Sequence, residues 1–263
     1  MSDLFHESLT NEQIAAVFGV MAACPQHVFQ VLTKRAKRML EWFEWYEGDS
    51  GTGAHPYAAV MQAVATVDAA PSSSKDWFEI GKHAPWPLQN VHLGVSCENQ
   101  AAADERIPLL LQCPAAVRWV SYEPALGGID ISDALSGYCG GCRIHGDFNH
   151  SGRCERTRLD WVVCGGESGP RARPMHPDWV RSIRDQCKSA GVPFHFKQWG
   201  EWLPGGFYDG FIVPDCMGSA MNNPKNMHYF EPPLGKVWRV GKRQAGHLLD
   251  GHEYRMWPGD EWQ

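Results

Sequence analysis

The sequence of 263 residues has no apolar run long enough to cross a bilayer. Its first residues carry no charged-then-apolar stretch of the secretory kind. Both absences point to a cytosolic setting. An excess of basic residues is missing as well. Lys and Arg number 24 against 30 Asp and Glu, a formal net charge of −6. That argues against a general nucleic-acid coat and leaves room for a local basic patch. No internal repeat of fixed period is present, and no long polar tract that would signal wholesale disorder. Two catalytic signatures are missing too. A phosphate-cradling loop needs a Gly, four residues, then Gly-Lys-Ser/Thr, which occurs nowhere. A hydrolase elbow needs Gly-x-Ser-x-Gly, but the residue two after Ser168 is Pro170.

What is there describes a chain with a sizeable core. Hydrophobic residues make up 43% of the sequence, enough for one large α/β domain or two small ones. Twelve Trp suggest pockets or stacking surfaces besides core. Nine Cys in a reducing compartment read as free thiols, metal ligands or reactive groups rather than a disulfide framework.

The elements follow from periodicity and punctuation. Thr10 with Gln13 forms a capping box, and Ile14, Val17, Phe18 and Met21 repeat at helical spacing after it. Cys24-Pro25 ends that helix. Residues 27–32 read as a strand, and Met39, Leu40, Trp42 and Phe43 as a second helix. Residues 47–90 are looser and hold a helix over 57–67. Further strands are expected at 91–96, 117–122, 161–164 and 192–197. A helix spans 101–111 with Pro108 inside it. Another carries Trp179, Ile183 and Cys187 on one stripe and stops at Gly191. Residues 125–158 form a Cys/His-bearing insertion. The main domain covers 1–200, and 201–263 is expected to be an irregular extension. Apolar strands alternating with helices indicate a parallel sheet, either an open doubly wound sheet or a (β/α) barrel.

In both architectures ligands meet the C-terminal ends of the strands. The residues just past each strand are Thr33, Lys34 and Arg35; Ser96, Glu98 and Asn99; Ser121 and Glu123; Gly166, Glu167 and Ser168; Lys197, Gln198 and Glu201. Ser2 and Asp3 join them if MSDLFHE follows a strand. Polar groups recur at every mouth, which favours a site over chance loop polarity. Gly165-Gly166-Glu167-Ser168-Gly169 is either a tight turn or a place where a ligand approaches the backbone beside Glu167. Cys139 and Cys142 form a CxxC knuckle followed by His145, His150 and Cys154. That is zinc-ligand spacing, with Cys139, Cys142, His150 and Cys154 as the closed, structural set. A loop of free thiols is the alternative. Two basic runs, 33–38 and 236–243, are solvated faces or, around Trp238, a place for a nucleic acid to stack.

The stretches MSDLFHE, HVFQVLTKR, NVHLGVSCENQAAADERIPLLLQCPAAVRWVSYEPALGGIDI, LDWVVCGGESGPRARPMHPDWVRSIRDQC, GVPFHFKQWGEW and RVGKRQAGHLLDG resemble the phage gene-product thirty-seven/sixty-eight family. Members of that family look like radical S-adenosylmethionine enzymes. The resemblance implies a partial (β/α) barrel whose N-terminal CxxxCxxC thiolates hold an iron–sulfur cluster. It implies a protein encoded by a phage or prophage and acting in the bacterial cytoplasm on a nucleotide or nucleic acid. S-adenosylmethionine would be met by Ser2, Asp3, Ser96, Glu98, Ser121 and Glu123. Substrate would be met by Lys34, Arg35, Glu167, Ser168, Lys197 and Gln198. The sequence departs from the pattern in holding no CxxxCxxC. It is therefore expected to be N-terminally truncated relative to the family, with the cluster part encoded upstream of Met1 or carried by a separate chain. The competing expectation is a non-catalytic, degenerate barrel with a zinc-stabilised insertion that binds nucleic acid or a partner protein.

Overall fold

A computed structural model describes residues 3–48, 86–137, 157–205, 225, 227–230 and 236–262. The helix expected at 57–67 and the candidate zinc ligands lie outside these residues. The described elements are α1 (Asn11–Ala23), β1 (Phe29–Thr33), α2 (Ala36–Gly48), β2 (Val91–Ser96), α3 (Gln100–Leu110), β3 (Val117–Tyr122), α4 (Ser132–Ser136), β4 (Trp161–Gly165), α5 (Pro177–Ala190), β5 (Phe194–Gln198), β6 (Trp202–Gly205), β7 (Met227–Tyr229), β8 (Lys236–Arg239) and α6 (Lys242–Ala245). The first five strands form one parallel sheet in the order β1-β2-β3-β4-β5 and alternate with helices. The fold is α/β and the sheet does not close into a barrel. The chain divides into two compact units, Met1–Val95 with Glu105–Trp119, and Ser96–Asp104 with Val120–Gln263.

In the first unit, α1 starts where the capping box places it. Thr10 Oγ1 accepts from the Gln13 amide, and the Gln13 side chain accepts from the Thr10 amide. Ile14, Phe18 and Met21 are buried as the stripe requires, whereas Val17 is 38% exposed. The helix packs an aromatic core. Phe18 stacks on Trp42 with ring centroids 4.5 Å apart, and Tyr46 stacks on the same indole at 5.3 Å. Trp42 Nε1 donates to the Asn11 carbonyl at 3.1 Å, so the buried indole keeps a hydrogen bond. In β2, Gly94 lies under the Trp119 indole, where a Cβ would come within 2.4 Å of the ring.

In the second unit every residue of β4 is buried, as expected for a strand covered on both faces. The α5 helix opens on Pro177 at its first turn and closes on Gly191 in the left-handed region (φ 64°). Val180, Ile183 and Cys187 form its buried stripe, while Trp179 is half-buried. The outer edge of β5 is not left open. Phe196 donates to the Tyr254 carbonyl at 2.8 Å and Met256 to the Phe194 carbonyl at 3.3 Å. The stretch after residue 200, expected to be irregular, contains three short strands in an antiparallel sheet of order β6-β8-β7. Strands of three or four residues are too short to show a period-2 pattern in sequence.

Candidate functional site

In the second unit the carboxyl ends of β3, β4 and β5 bring Glu123, Gly165, Gly166, Lys197 and Gln198 together. Glu123, the residue after β3, is the centre. Lys197 Nζ lies 2.9 Å from its Oε2, and Gln198 Nε2 donates to its Oε1 at 3.1 Å. The same Gln198 amide donates to the Gly166 carbonyl at 2.9 Å. Two accepting oxygens fix which end of that amide is nitrogen. Its Oε1 is buried and has no donor among the described residues.

Glycine makes this convergence feasible. A Cβ on Gly165 would sit 3.1 Å from the Glu123 carboxyl carbon, and one on Gly166 would sit 2.0 Å from the Trp199 carbonyl oxygen. Gly200, at φ 79°, has no room for a Cβ either, because the Glu167 carbonyl would be 2.1 Å away. The close approach in this turn is thus of backbone to backbone, sealed by Gly166 donating to the Gln198 carbonyl at 2.9 Å and Glu201 to the Glu167 carbonyl at 3.0 Å.

Ser96 and Ser121 are 3% and 4% exposed. The Ser96 hydroxyl donates to the Glu123 carbonyl at 3.4 Å, and Cys97 donates to the Ser121 carbonyl at 2.9 Å. In β4, burial raises the Cys164 thiol well above its ordinary pKa, and the Glu123 charge adds to this. Cys164 is fully buried, and its environment favours the neutral thiol.

Glu167 is engaged already. Arg173 grips it through Nε at 2.8 Å and Nη2 at 3.0 Å, and the Arg173 amide donates at 2.7 Å. The Arg173 side-chain hydrogen bonds, helped by its amide and its charge, hold the Glu167 carboxyl below the usual range, although partial burial pushes the other way. Glu98 also contributes to the field at Arg173. Ser168 is exposed at the turn. Arg173 was missed in sequence. Its only signal is two basic residues, Arg171 and Arg173, just after the glycine-rich turn.

Asp3, Lys34 and Arg35 lie in the first unit. The Asp3 carboxylate accepts from the Thr33 hydroxyl at 2.8 Å, the Phe5 amide at 3.0 Å and Arg35 Nη1 at 2.9 Å. Burial opposes its charge, but the Thr33, Phe5, Arg35 and Lys34 hydrogen bonds outweigh that and hold the pKa below the ordinary value. Arg35 also reaches Glu7 at 3.0 Å. Asp3 and Arg35 thus serve each other, tying the opening loop to the end of β1. Lys34 is exposed. Ser2, Cys139, Cys142, His150 and Cys154 lie outside the described residues.

Chemically, the Glu123 carboxylate is suited to accept from a donor and the Lys197 ammonium to pair with an anion. Ligation of a metal is another matter. Among the described residues no group of three or more His, Cys, Asp and Glu could hold an ion. Cys97, Cys113, Cys164 and Cys187 are buried, and Cys24 is half-buried. These thiols do not fit an iron–sulfur cluster. No helix among the described residues is long and apolar enough to cross a membrane.

Neither the curated proteins nor the solved structures contain a match to the chain. A family model does match it, over residues 1–258. The chain belongs to the family described as protein of unknown function, DUF5131.

Proposed function

We propose that the chain is the part of a radical-S-adenosylmethionine-like enzyme that binds S-adenosylmethionine and substrate, with a nucleotide or nucleic acid as the molecule acted upon. The observation that carries the reading is Glu123, held by Lys197 and Gln198 at three converging strand ends, beside a buried acceptor that lacks a donor. S-adenosylmethionine suits these groups. Its ammonium and ribose hydroxyls are donors for Glu123 and Gln198, and its carboxylate is a partner for Lys197. When bound, it would supply the hydrogen-abstraction chemistry of the family that the sequence resembles. The strand order runs without the reversal of a doubly wound sheet, which favours a partial barrel. Thiolates for a cluster would come from polypeptide outside this sequence, which holds no CxxxCxxC.

Calorimetric titration with S-adenosylmethionine tests the reading. Binding in the micromolar range is expected, weakened at least about tenfold by Glu123→Gln, a loss of about 1.4 kcal/mol. No binding, or equal binding by the variant, would overturn it. The lack of a cluster motif favours one competing reading, a non-catalytic module that binds nucleic acid or a partner protein. That reading would then stand.

A further inference from the structure

Lys197 and Gln198 have a second side. Past the end of β5 they line a cavity of about 560 Å³ with Lys242, Arg243, Gly246 and His247. No carboxylate is among these residues. Lys197 has Glu123 as a partner, and His247 has Glu253 at 3.0 Å. Lys242 and Arg243 are exposed and make no ion pair among the described residues.

The cations are not needed to hold the turn in place. Trp199 donates from its amide to the Gly246 carbonyl at 3.0 Å and from Nε1 to the Leu248 carbonyl at 2.8 Å. Val240 and Gly241 both donate to the Glu201 carbonyl. Main-chain and indole hydrogen bonds therefore seat this segment on the end of β5. Three permanent positive charges and a histidine then gather round one cavity, in a chain whose formal net charge is −6. Glu123 and Glu253 answer Lys197 and His247, which leaves the charges of Lys242 and Arg243 for an added anion. Gln198, whose amide already binds Glu123 and Gly166, belongs to the same lining.

We infer that this cavity binds the phosphate of a phosphomonoester, with Lys242, Arg243 and His247 on the phosphate. A cavity of this size falls in the range of ordinary small-molecule sites. The inference rests on the reading of the strand ends as a ligand site and names the substrate class for it. A free nucleotide and the 5′ end of a nucleic acid offer the same chemistry.

The test is calorimetry on the full chain and on the double variant Lys242→Ala/Arg243→Ala. The probes are pyrophosphate, the four common nucleoside 5′-monophosphates, their nucleosides, and a short oligonucleotide with and without a 5′-phosphate. Expected is at least tenfold tighter binding of a phosphorylated probe than of its dephosphorylated partner, with that advantage lost in the double variant. An advantage seen only with the oligonucleotide assigns the phosphate to a nucleic-acid end. Equal binding with and without phosphate, no binding of any phosphorylated probe, or an unchanged double variant would overturn the inference. S-adenosylmethionine titrated in parallel separates the two ideas. If it binds both proteins alike while phosphate is ignored, only the phosphate site fails. If phosphate binds and S-adenosylmethionine does not, only the earlier reading fails.

Discussion

At the scale of single residues, the glycines after β4 are the most constrained part of the site. A methyl group on Gly166 would overlap the Trp199 carbonyl, which is backbone and cannot swing aside. Gly166→Ala should therefore cost about 1–3 kcal/mol, as overpacking usually does. A lowered urea midpoint with unchanged slope is the expected measurement, and a midpoint equal to that of the native protein would contradict the close packing of this turn. Sequence reasoning placed these glycines at a strand end because local pattern is enough for that. It could not reveal their partners. Gly200 meets Glu167, and Lys197 meets Glu123, across long stretches of chain. Pairings of that kind depend on strand order, which no local period encodes. The same limit hid the mutual pairing of Asp3 with Arg35, whereas the Arg173 clamp on Glu167 is local, six residues on, and was hidden because an irregular turn has no period to read.

Among the elements, legibility tracked length and capping. α1 and α5 were readable because each combines a stripe with an explicit start or stop. The strands β6, β7 and β8 were not, since each pairs over only three or four residues. The start of α5 also carries a pH-sensitive group. His176 caps the helix by accepting from the Asp178 amide through Nδ1 at 3.0 Å, and it is 2% exposed. Nε2 then carries the proton and has no acceptor among the described residues. Burial lowers the His176 pKa; Asp178 opposes this and Arg181 adds to it. A histidine with a depressed folded-state pKa gives stability that is present above its ordinary value of about 6.5 and lost as pH falls through the folded value. His195 shifts in the same direction, again chiefly through burial. The lowered carboxylates of Asp3, Glu167 and Asp250 act only at more acid pH. Urea midpoints at pH 7.5 and 5.5 should therefore differ in the native protein. His176→Ser keeps a capping oxygen and removes the titration, so its two midpoints should lie closer together. An equal drop in both proteins would remove His176 from the account.

For the whole molecule, the open question is what the segment between 137 and 157 contributes. Its flanks are fastened firmly to the second unit. Gln186 donates to the Ile129 carbonyl at 2.8 Å and accepts from the Ile131 amide at 2.8 Å, and Leu159 donates to the Ala134 carbonyl at 2.9 Å. A segment with anchored ends and a CxxC, a histidine and a further cysteine is suited to local closure by zinc, whose ligation supplies folding energy where apolar burial is scarce. We propose Cys139, Cys142, His150 and Cys154 as its four ligands. Metal analysis of the purified protein should then find about one zinc per chain, the stoichiometry of a single tetrahedral site. Cys139→Ser/Cys142→Ser should abolish it. The double variant should also become cleavable by protease within 138–156, while S-adenosylmethionine binding persists, because none of the four is among the residues proposed to meet that molecule. Absence of zinc, with all nine cysteines titratable as free thiols, would leave the segment without a metal and return its cysteines to the class of reduced loop residues.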